Sequence, residues 1–221
     1  MTATEPSPGQ PPSKGDRTRQ SLLSAAIERF ARDGFRGTSV ADVCRDAGLS
    51  TTASYPYFPN KEALFVAAVD EDVDGLIRSA ITLEVVEKEQ HWGHTMMRSL
   101  IARSEQHPLA RRIISGLEPD FTVRMLDIPA LTQLRKDVAE LMRALQVTGD
   151  VRRDIEPEQI SNGIVVIVIS LLMTSVQTGG SGFDLVAADV EAVLDAATRP
   201  PGDGTSPRRE ARSEQLRSQT H

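Results

Sequence analysis

Hydrophobic positions recur at intervals of three and four along most of the chain, the spacing that gives an α-helix one apolar face. Leu22, Leu23, Ala26, Ile27 and Phe30 form the first such face, in a helix from about Arg17 to Asp33 that Asp16 is placed to cap and Gly34 to end. Val40, Ala41, Val43, Cys44 and Ala47 form the second, with Thr38 as its N-cap. Gly48 supplies the positive φ that closes it, and Leu49 packs back as an apolar plug. Ser50 caps a short third helix, Thr51 to about Tyr57, which Phe58-Pro59 ends. Asn60 caps a fourth, in which Ala63, Leu64, Ala67, Ala68, Leu76 and Ile77 recur; its reach to about Glu89 suits a connecting rod.

Beyond Trp92 the pattern stays helical. Met96, Met97, Leu100 and Ile101 form one stripe, which Pro108 breaks before a short helix at 109–115. A loop through Gly116 and Pro119 leads to a long helix opening near Pro129, with Leu131, Leu134, Val138, Leu141, Met142 and Leu145 on one side. Pro157 opens the next, which holds the most apolar run of the chain, Ile164 to Val176. Six consecutive β-branched residues there fit a buried strand as well as a helix, and periodicity does not separate the two. The helical neighbours favour a helix. A membrane span needs roughly 18 apolar residues, so this run is expected to be too short. A helix apolar on nearly every side needs cover on nearly every side, and a second copy of the chain is the economical source. A last amphipathic helix spans 185–197, with Val186, Val190, Val193, Leu194 and Ala197 facing inward. Residues 1–15 and 200–221, rich in Pro, Ser, Thr and Gly or in charge, read as disordered tails. The expected fold is all-α, with a compact unit at 16–62 and a larger helical unit at 63–199.

Composition narrows the function. At 221 residues, 39% hydrophobic and 25% charged, the chain has the make-up of a globular protein with a sizeable core. Aromatic residues at 4% do not provide a base-stacking surface, and a net charge of −6 argues against nonspecific coating of nucleic acid. The sign is uneven, however: residues 14–65 hold eight Lys/Arg against six Asp/Glu, while the remainder is acidic. A mildly basic head on an acidic platform suits a DNA reader. The single cysteine, Cys44, excludes an intrachain disulfide and points to a reducing compartment, and no apolar leader of signal type is evident. A cytoplasmic location is the expectation.

Two short helices joined by a glycine turn are the helix-turn-helix plan, whose second helix enters the major groove. The run from Thr18 to Val69 resembles the DNA-binding domain of the tetracycline-repressor (TetR) family of bacterial transcription regulators. The resemblance rests on Ala26…Phe30-Ala31…Gly34-Phe35, on Thr38-Ser39-Val40, on Ala47-Gly48-Leu49-Ser50, and on Tyr55-Pro56-Tyr57-Phe58-Pro59-Asn60-Lys61-Glu62…Leu64. It implies a DNA-facing set. Thr38 and Ser39 would meet a phosphate, Ser50, Thr51, Thr52 and Ala53 would face base edges, and Tyr55, Tyr57 and Lys61 would hold backbone phosphates. It also implies a homodimer on double-stranded operator DNA, a small-molecule effector of unknown identity and no enzymatic activity; no cofactor and no metal are expected from the residues. A helical enzyme or partner-binding module that merely contains the motif is the alternative.

Two features depart from the family pattern. The third helix has no Arg, Lys, Asn or Gln, so bidentate base readout is unavailable from it, and discrimination falls to threonine contacts, water, DNA shape, or arms such as Arg17 and Arg19. Pro56 removes a backbone donor and disfavours helical geometry at Tyr55. Other candidates are weaker. His91, His94 and His107 are a conceivable metal set but lack an acidic or cysteine partner in the pattern, and Cys44 reads as a small core residue rather than a redox switch. Trp92, Met96, Met97, Leu100, Phe121, Met125, Leu126 and Met142 are the expected effector lining, or else ordinary core. Ile164, Val168, Leu171, Leu172, Val186, Val190, Val193 and Leu194 are the expected dimer face.

Overall fold

The computed structural model describes residues 13–81, 92–122, 124–179 and 183–200, and all regular structure among them is helical. Helix α1 (Lys14–Gly37) opens with a capping box: the Ser13 hydroxyl accepts the Asp16 N–H at 3.1 Å while the Asp16 carboxylate accepts the Ser13 N–H at 3.0 Å. Asp16 therefore acts from inside the first turn and Ser13 is the cap, so Lys14 and Gly15, expected in a disordered tail, are helical. Gly34 interrupts α1 at φ 76°. Helix α2 (Val40–Asp46) is closed the same way, by Ser39 and Asp42 rather than by Thr38. Asn60 caps helix α3 (Lys61–Ala80) as expected, its Oδ1 accepting the Ala63 N–H at 2.8 Å. Helix α3 ends at Ala80, with Ile81 extended, so it stops short of the reach to Glu89 that the pattern suggests; residues 82–91 lie outside the described residues.

The remaining elements are α4 (Trp92–Ser104), α5 (Pro108–Ile114), α6 (Pro119–Thr122), a 3-10 turn at Met125–Asp127, α7 (Pro129–Thr148), α8 (Pro157–Gln177) and α9 (Phe183–Thr198). The short α6 and the turn after it occupy a stretch that periodicity leaves as loop. One apolar core runs without a break from Leu22, Leu23, Phe30, Val43 and Leu64 of the N-terminal head to Met97, Leu109, Ile113, Leu131 and Leu172 of the body, with α3 belonging to both. A smaller cluster of Met142, Val151 and Ile160 lies apart from it.

Two carboxylates of α3 fix the body to this rod. Asp70 accepts the Ala130 N–H at 2.7 Å. Asp72 accepts the Leu109 and Ala110 N–H groups at 2.9 and 2.8 Å and pairs with His107 Nδ1 at 2.9 Å. Both therefore satisfy orphan donors at helix N-termini that open with proline and carry no cap of their own. Burial holds the Asp70 carboxyl above the usual aspartate range, against the opposing pull of the Ala130 N–H.

Helix α8 settles the strand-or-helix ambiguity in favour of helix. An 18-residue stretch of this 21-residue helix has a mean hydropathy of 1.9, so the whole helix is long and apolar enough by length and composition to cross a membrane, although the run 164–176 by itself is shorter than a span. In the fold it packs along α7 and against α4 and α5 on one side, while much of its apolar surface stays uncovered.

Candidate nucleic-acid interface

The segment between Gly48 and Asn60 is tighter than the regular helix expected. Only Thr51–Ala53 form a 3-10 turn, followed by turns through Tyr57. Pro56 explains the difference, since it has no N–H to give and crowds the helical geometry of Tyr55. The buried Ser54 holds the turn instead, its hydroxyl donating to the Thr51 carbonyl at 2.8 Å and its own carbonyl accepting the Phe58 N–H at 2.9 Å. Ser50 makes no cap; its hydroxyl lies 3.0 Å from that of Thr52. The outcome is an exposed edge of Ser50, Thr51, Thr52 and Tyr55, the last 56% exposed, with Ala53 and Tyr57 half-buried. Thr38 sits elsewhere than expected: it is 3% exposed, and its hydroxyl is the one buried side-chain polar atom without a hydrogen-bond partner among the described residues. Ser39 beside it is exposed.

Charge separates the eight basic residues of the head into two groups. Arg29 bridges Asp33 and Asp46 at 3.0 and 2.7 Å, Arg32 also pairs with Asp33, Arg45 with Asp42, and Arg36 with Asp120 of the body. The Ser39 hydroxyl and the Arg45 guanidinium hold the Asp42 carboxyl down to about 2. Lys14, Arg17, Arg19 and Lys61 form no ion pair with any described residue. Arg19, the start of α1 at Lys14 and Lys61 adjoin the recognition segment or follow it directly. The Arg19 guanidinium stands 5.6 Å from the centre of the Phe58 ring, and a Cβ on Gly15, next to Lys14, would lie 3.4 Å from the Tyr57 hydroxyl. The Lys61 ammonium lies 4.4 Å from the centre of the Phe35 ring. The fold thus sets Arg19 and Gly15 of α1 against the segment after Gly48 and leaves these cations without an ion-pair partner, Arg19 standing within electrostatic reach of Asp16 and Asp70. Lys14 belongs with Arg17 and Arg19 here, and was missed because a Pro/Ser-rich stretch precedes it.

The other predicted sets are brought together only in part. Met96, Met97, Leu100, Phe121 and Met125 are buried in the main core with Leu126 half-buried against it, but Met142 belongs to the separate cluster. The side chain of Trp92 lies outside the described residues. Of the expected dimer face, Leu172 is 6% exposed and committed to its own subunit's core, and Ile164 and Val168 pack against core clusters. Leu171, Val190 and Leu194 are half-buried, Val193 is 65% exposed, and the side chain of Val186 lies outside the described residues. The large apolar side chains that α8 does expose are Val166 and Ile167, at 43% and 36%, which the sequence reading did not choose. His107 is engaged with Asp72, with Ser79 Oγ 3.4 Å from its Nε2; His91 and the side chain of His94 lie outside the described residues. Cys44 is buried among apolar side chains.

Comparison with known proteins agrees with this geometry. Residues 22–68 match the family described as bacterial regulatory proteins, tetR family. The HTH-type transcriptional regulator YdgC of Bacillus subtilis is 25% identical over 198 residues, 86% of this chain and 97% of that protein. RutR of Escherichia coli, also an HTH-type transcriptional regulator, is 39% identical over 56 residues, 25% of this chain and 26% of RutR. Among solved structures, a TetR-family transcriptional regulator from Cytophaga hutchinsonii superposes with a TM-score of 0.62 at 22% identity, covering 86% of this chain and 98% of that one. The fatty acid degradation regulator FadR from Bacillus halodurans gives 0.57 at 18%, covering 84% and 96%. At these identities the structural likenesses establish the all-helical fold. The matched head, the cations beside its threonine edge and the full-length likeness to YdgC converge: residues 22–68 are similar to the DNA-binding domain of tetR-family bacterial regulatory proteins, and the chain as a whole is similar to an HTH-type transcriptional regulator.

Proposed function

We propose that the chain is a ligand-responsive repressor that binds a pseudo-palindromic operator as a homodimer in the cytoplasm. The observation that carries this reading is the division of charge in the head, where four cations are neutralised by neighbours and the other four form no ion pair with any described residue. A polyanion is the counter-charge such a face lacks. Phosphate contacts from Lys14, Arg17, Ser39, Tyr57 and Lys61 hold the register, and Thr51 and Thr52 read base edges and the thymine methyl. With no bidentate donor on the turn, sequence preference rests on these short contacts and on groove shape.

The exposed Val166, Ile167 and Val193 support a second copy over α8 and α9. Two-fold symmetry then sets the recognition turns about 34–36 Å apart, one helical repeat of DNA. The core residues Met96, Met97, Leu100, Phe121 and Met125 are the region where an apolar effector enters, and it shifts the population away from the operator-competent spacing by binding the other state better. Fluorescence anisotropy with duplexes selected from a random pool tests the reading. Lys61→Ala is expected to weaken every duplex alike and Thr52→Ala to change sequence preference. A purified chain that sediments as a monomer at micromolar concentration, or binds no duplex at low salt, refutes it.

A further inference from the structure

Lys61 occupies the first turn of α3, where a cation opposes the helix dipole. Its four-carbon stem has many rotamers, yet its ammonium sits 4.4 Å above the Phe35 ring. A ring face engages one side of an ammonium and leaves its other N–H groups free for a phosphate oxygen. What places Lys61 is therefore whatever places Phe35.

Phe35 follows Gly34, whose φ of 76° breaks α1 and takes the Phe35 N–H away from any helical acceptor. That donor is met from the body, by Glu118 Oε1 at 3.0 Å. The same oxygen accepts the Arg112 Nε–H at 2.8 Å, and Arg112 Nη1 in turn donates to the Ala31 carbonyl at 3.3 Å. Glu118 and Arg112 thus cover both the free carbonyl and the free N–H at the break in α1. Glycine is needed at 34 for a second reason besides its φ: a Cβ there would stand 2.6 Å from Arg112 Nη2 and 2.8 Å from Glu118 Oε1. The ring is held from the same segment. Phe35 meets Phe65 edge-on at 5.0 Å, and Phe65 meets Phe121 at 5.1 Å, three residues after Glu118.

We propose that Glu118, in the regulatory body, is a positioning residue for DNA binding: it fixes Phe35, and Phe35 fixes the Lys61 ammonium where the phosphate arrives. The proposal rests on Lys61 as a phosphate ligand, as set out above. It gives the body a direct handle on a DNA contact, because a shift of the 118–121 segment reaches Lys61 without unfolding the head.

The test uses the full chain with Lys61→Met, Phe35→Leu, Glu118→Ala and Glu118→Gln, and Arg143→Ala at a remote surface pair as control. Lysine side chains labelled with 13C report, without DNA, the upfield ring-current shift of the Lys61 ε-methylene. It is expected in the parent chain, lost in Phe35→Leu and Glu118→Ala, and retained in Glu118→Gln, whose amide oxygen still accepts the Phe35 N–H. Anisotropy titrations across salt concentration supply the second readout. Lys61→Met should lower the slope of log K against log[salt] by about 2, from ~0.9 per phosphate in each of two subunits. Glu118→Ala and Phe35→Leu should each lose at least half of that slope change and bind about five- to tenfold more weakly, with Glu118→Gln and Arg143→Ala near parental values. Phe35→Leu leaves the Arg112–Glu118 pair in place and so tests the link from ring to ammonium by itself; if a thermal melt shows Glu118→Ala to be less stable, its ring-current shift and salt slope are read below its melting transition. A Glu118→Ala or Phe35→Leu chain that keeps the parental salt slope while Lys61→Met loses it overturns the positioning role. An unchanged slope in Lys61→Met overturns the phosphate assignment itself and the proposal with it, and the ring-current signal shows separately whether Glu118 governs Lys61.

Discussion

The N-terminal head and the C-terminal pair α8 and α9 are incomplete in opposite ways. In the head, the helix starts at Ser13, Ser39 and Asn60 are capped by side chains within three residues, and Leu22, Leu23, Ala26 and Phe30 of α1 are fully inside. What remains outward is charge without an ion-pair partner. In α8, Ser161 and Gln177 bond to neighbouring elements near the two ends, and what remains outward along the middle is largely apolar: only 28% of its most apolar stretch is buried. Each surplus is the complement of the partner proposed for it, a polyanion for the first and another apolar surface for the second.

Five experiments break or sharpen this contrast. The largest effect is expected from Phe30→Ala, which opens a void between Phe35 and Phe65 where Phe30 is fully buried. A loss of about 3–5 kcal/mol is expected in urea denaturation. A chain that tolerated it would not be held together by the continuous core described. Next comes the C-terminal surplus. Replacing Val166 and Ile167 together by Asp and Glu should give a monomer in sedimentation equilibrium and weaken operator binding about a hundredfold through lost bivalency, with the head's melting unchanged.

Asp72→Ala removes the carboxylate that serves Leu109, Ala110 and His107 and should cost about 2–3 kcal/mol, because buried donors lose their acceptor. Faster amide exchange at 109 and 110 is the matching local signal. Smaller again is the pair of adjacent hydroxyls. Ser39→Ala should cost about 1 kcal/mol as a lost N-cap. Thr38→Val should be neutral or stabilising, since the Thr38 hydroxyl is buried without a partner. Equal losses in the two would return the cap to Thr38.

The smallest effects are in acid, and they carry opposite signs in the two regions. The folded head holds Asp42 down to about 2, below the ordinary 3.8, so its contribution is present above 3.8 and lost as the pH falls through that window toward 2. Asp70 in the body is raised by burial, so its ionised form works against folding at neutral pH and protonation relieves it. Asp42→Asn should therefore destabilise at pH 7 and cease to matter near pH 2. Asp70→Asn, which keeps an acceptor for Ala130, should stabilise slightly at pH 7, with the gap closing as the pH falls. Melting curves across pH check both signs.

How far the site was legible depended on the range of the forces involved. The glycine turn, the Asn60 cap and the apolar stripe of α1 are local and were readable from spacing. The choice of Ser39 over Thr38 as cap was not, because both hydroxyls suit the position and only packing against the core decides which one is buried. Pro56 gave warning that the recognition helix would shorten, though not that Ser54 would hold the resulting turn. Nothing local separates Arg17 from Arg29: their difference is that Asp46, seventeen residues beyond Arg29, folds back onto it. The α8 face was misassigned at Leu172 for a related reason. A helix apolar on every side carries no periodic mark of which side goes in.

The sequence by itself determined the helical class, the order of the elements and the threonine-bearing turn of a TetR-type head, since these follow from short-range periodicity, capping and glycine geometry. Only the tertiary structure decided which cations stay unpaired, which side of α8 is covered, and that Glu118 of the body meets the Phe35 N–H across 83 residues. Those outcomes depend on distances between segments remote in the chain, and ion pairs, burial and ring contacts are set by distance in space.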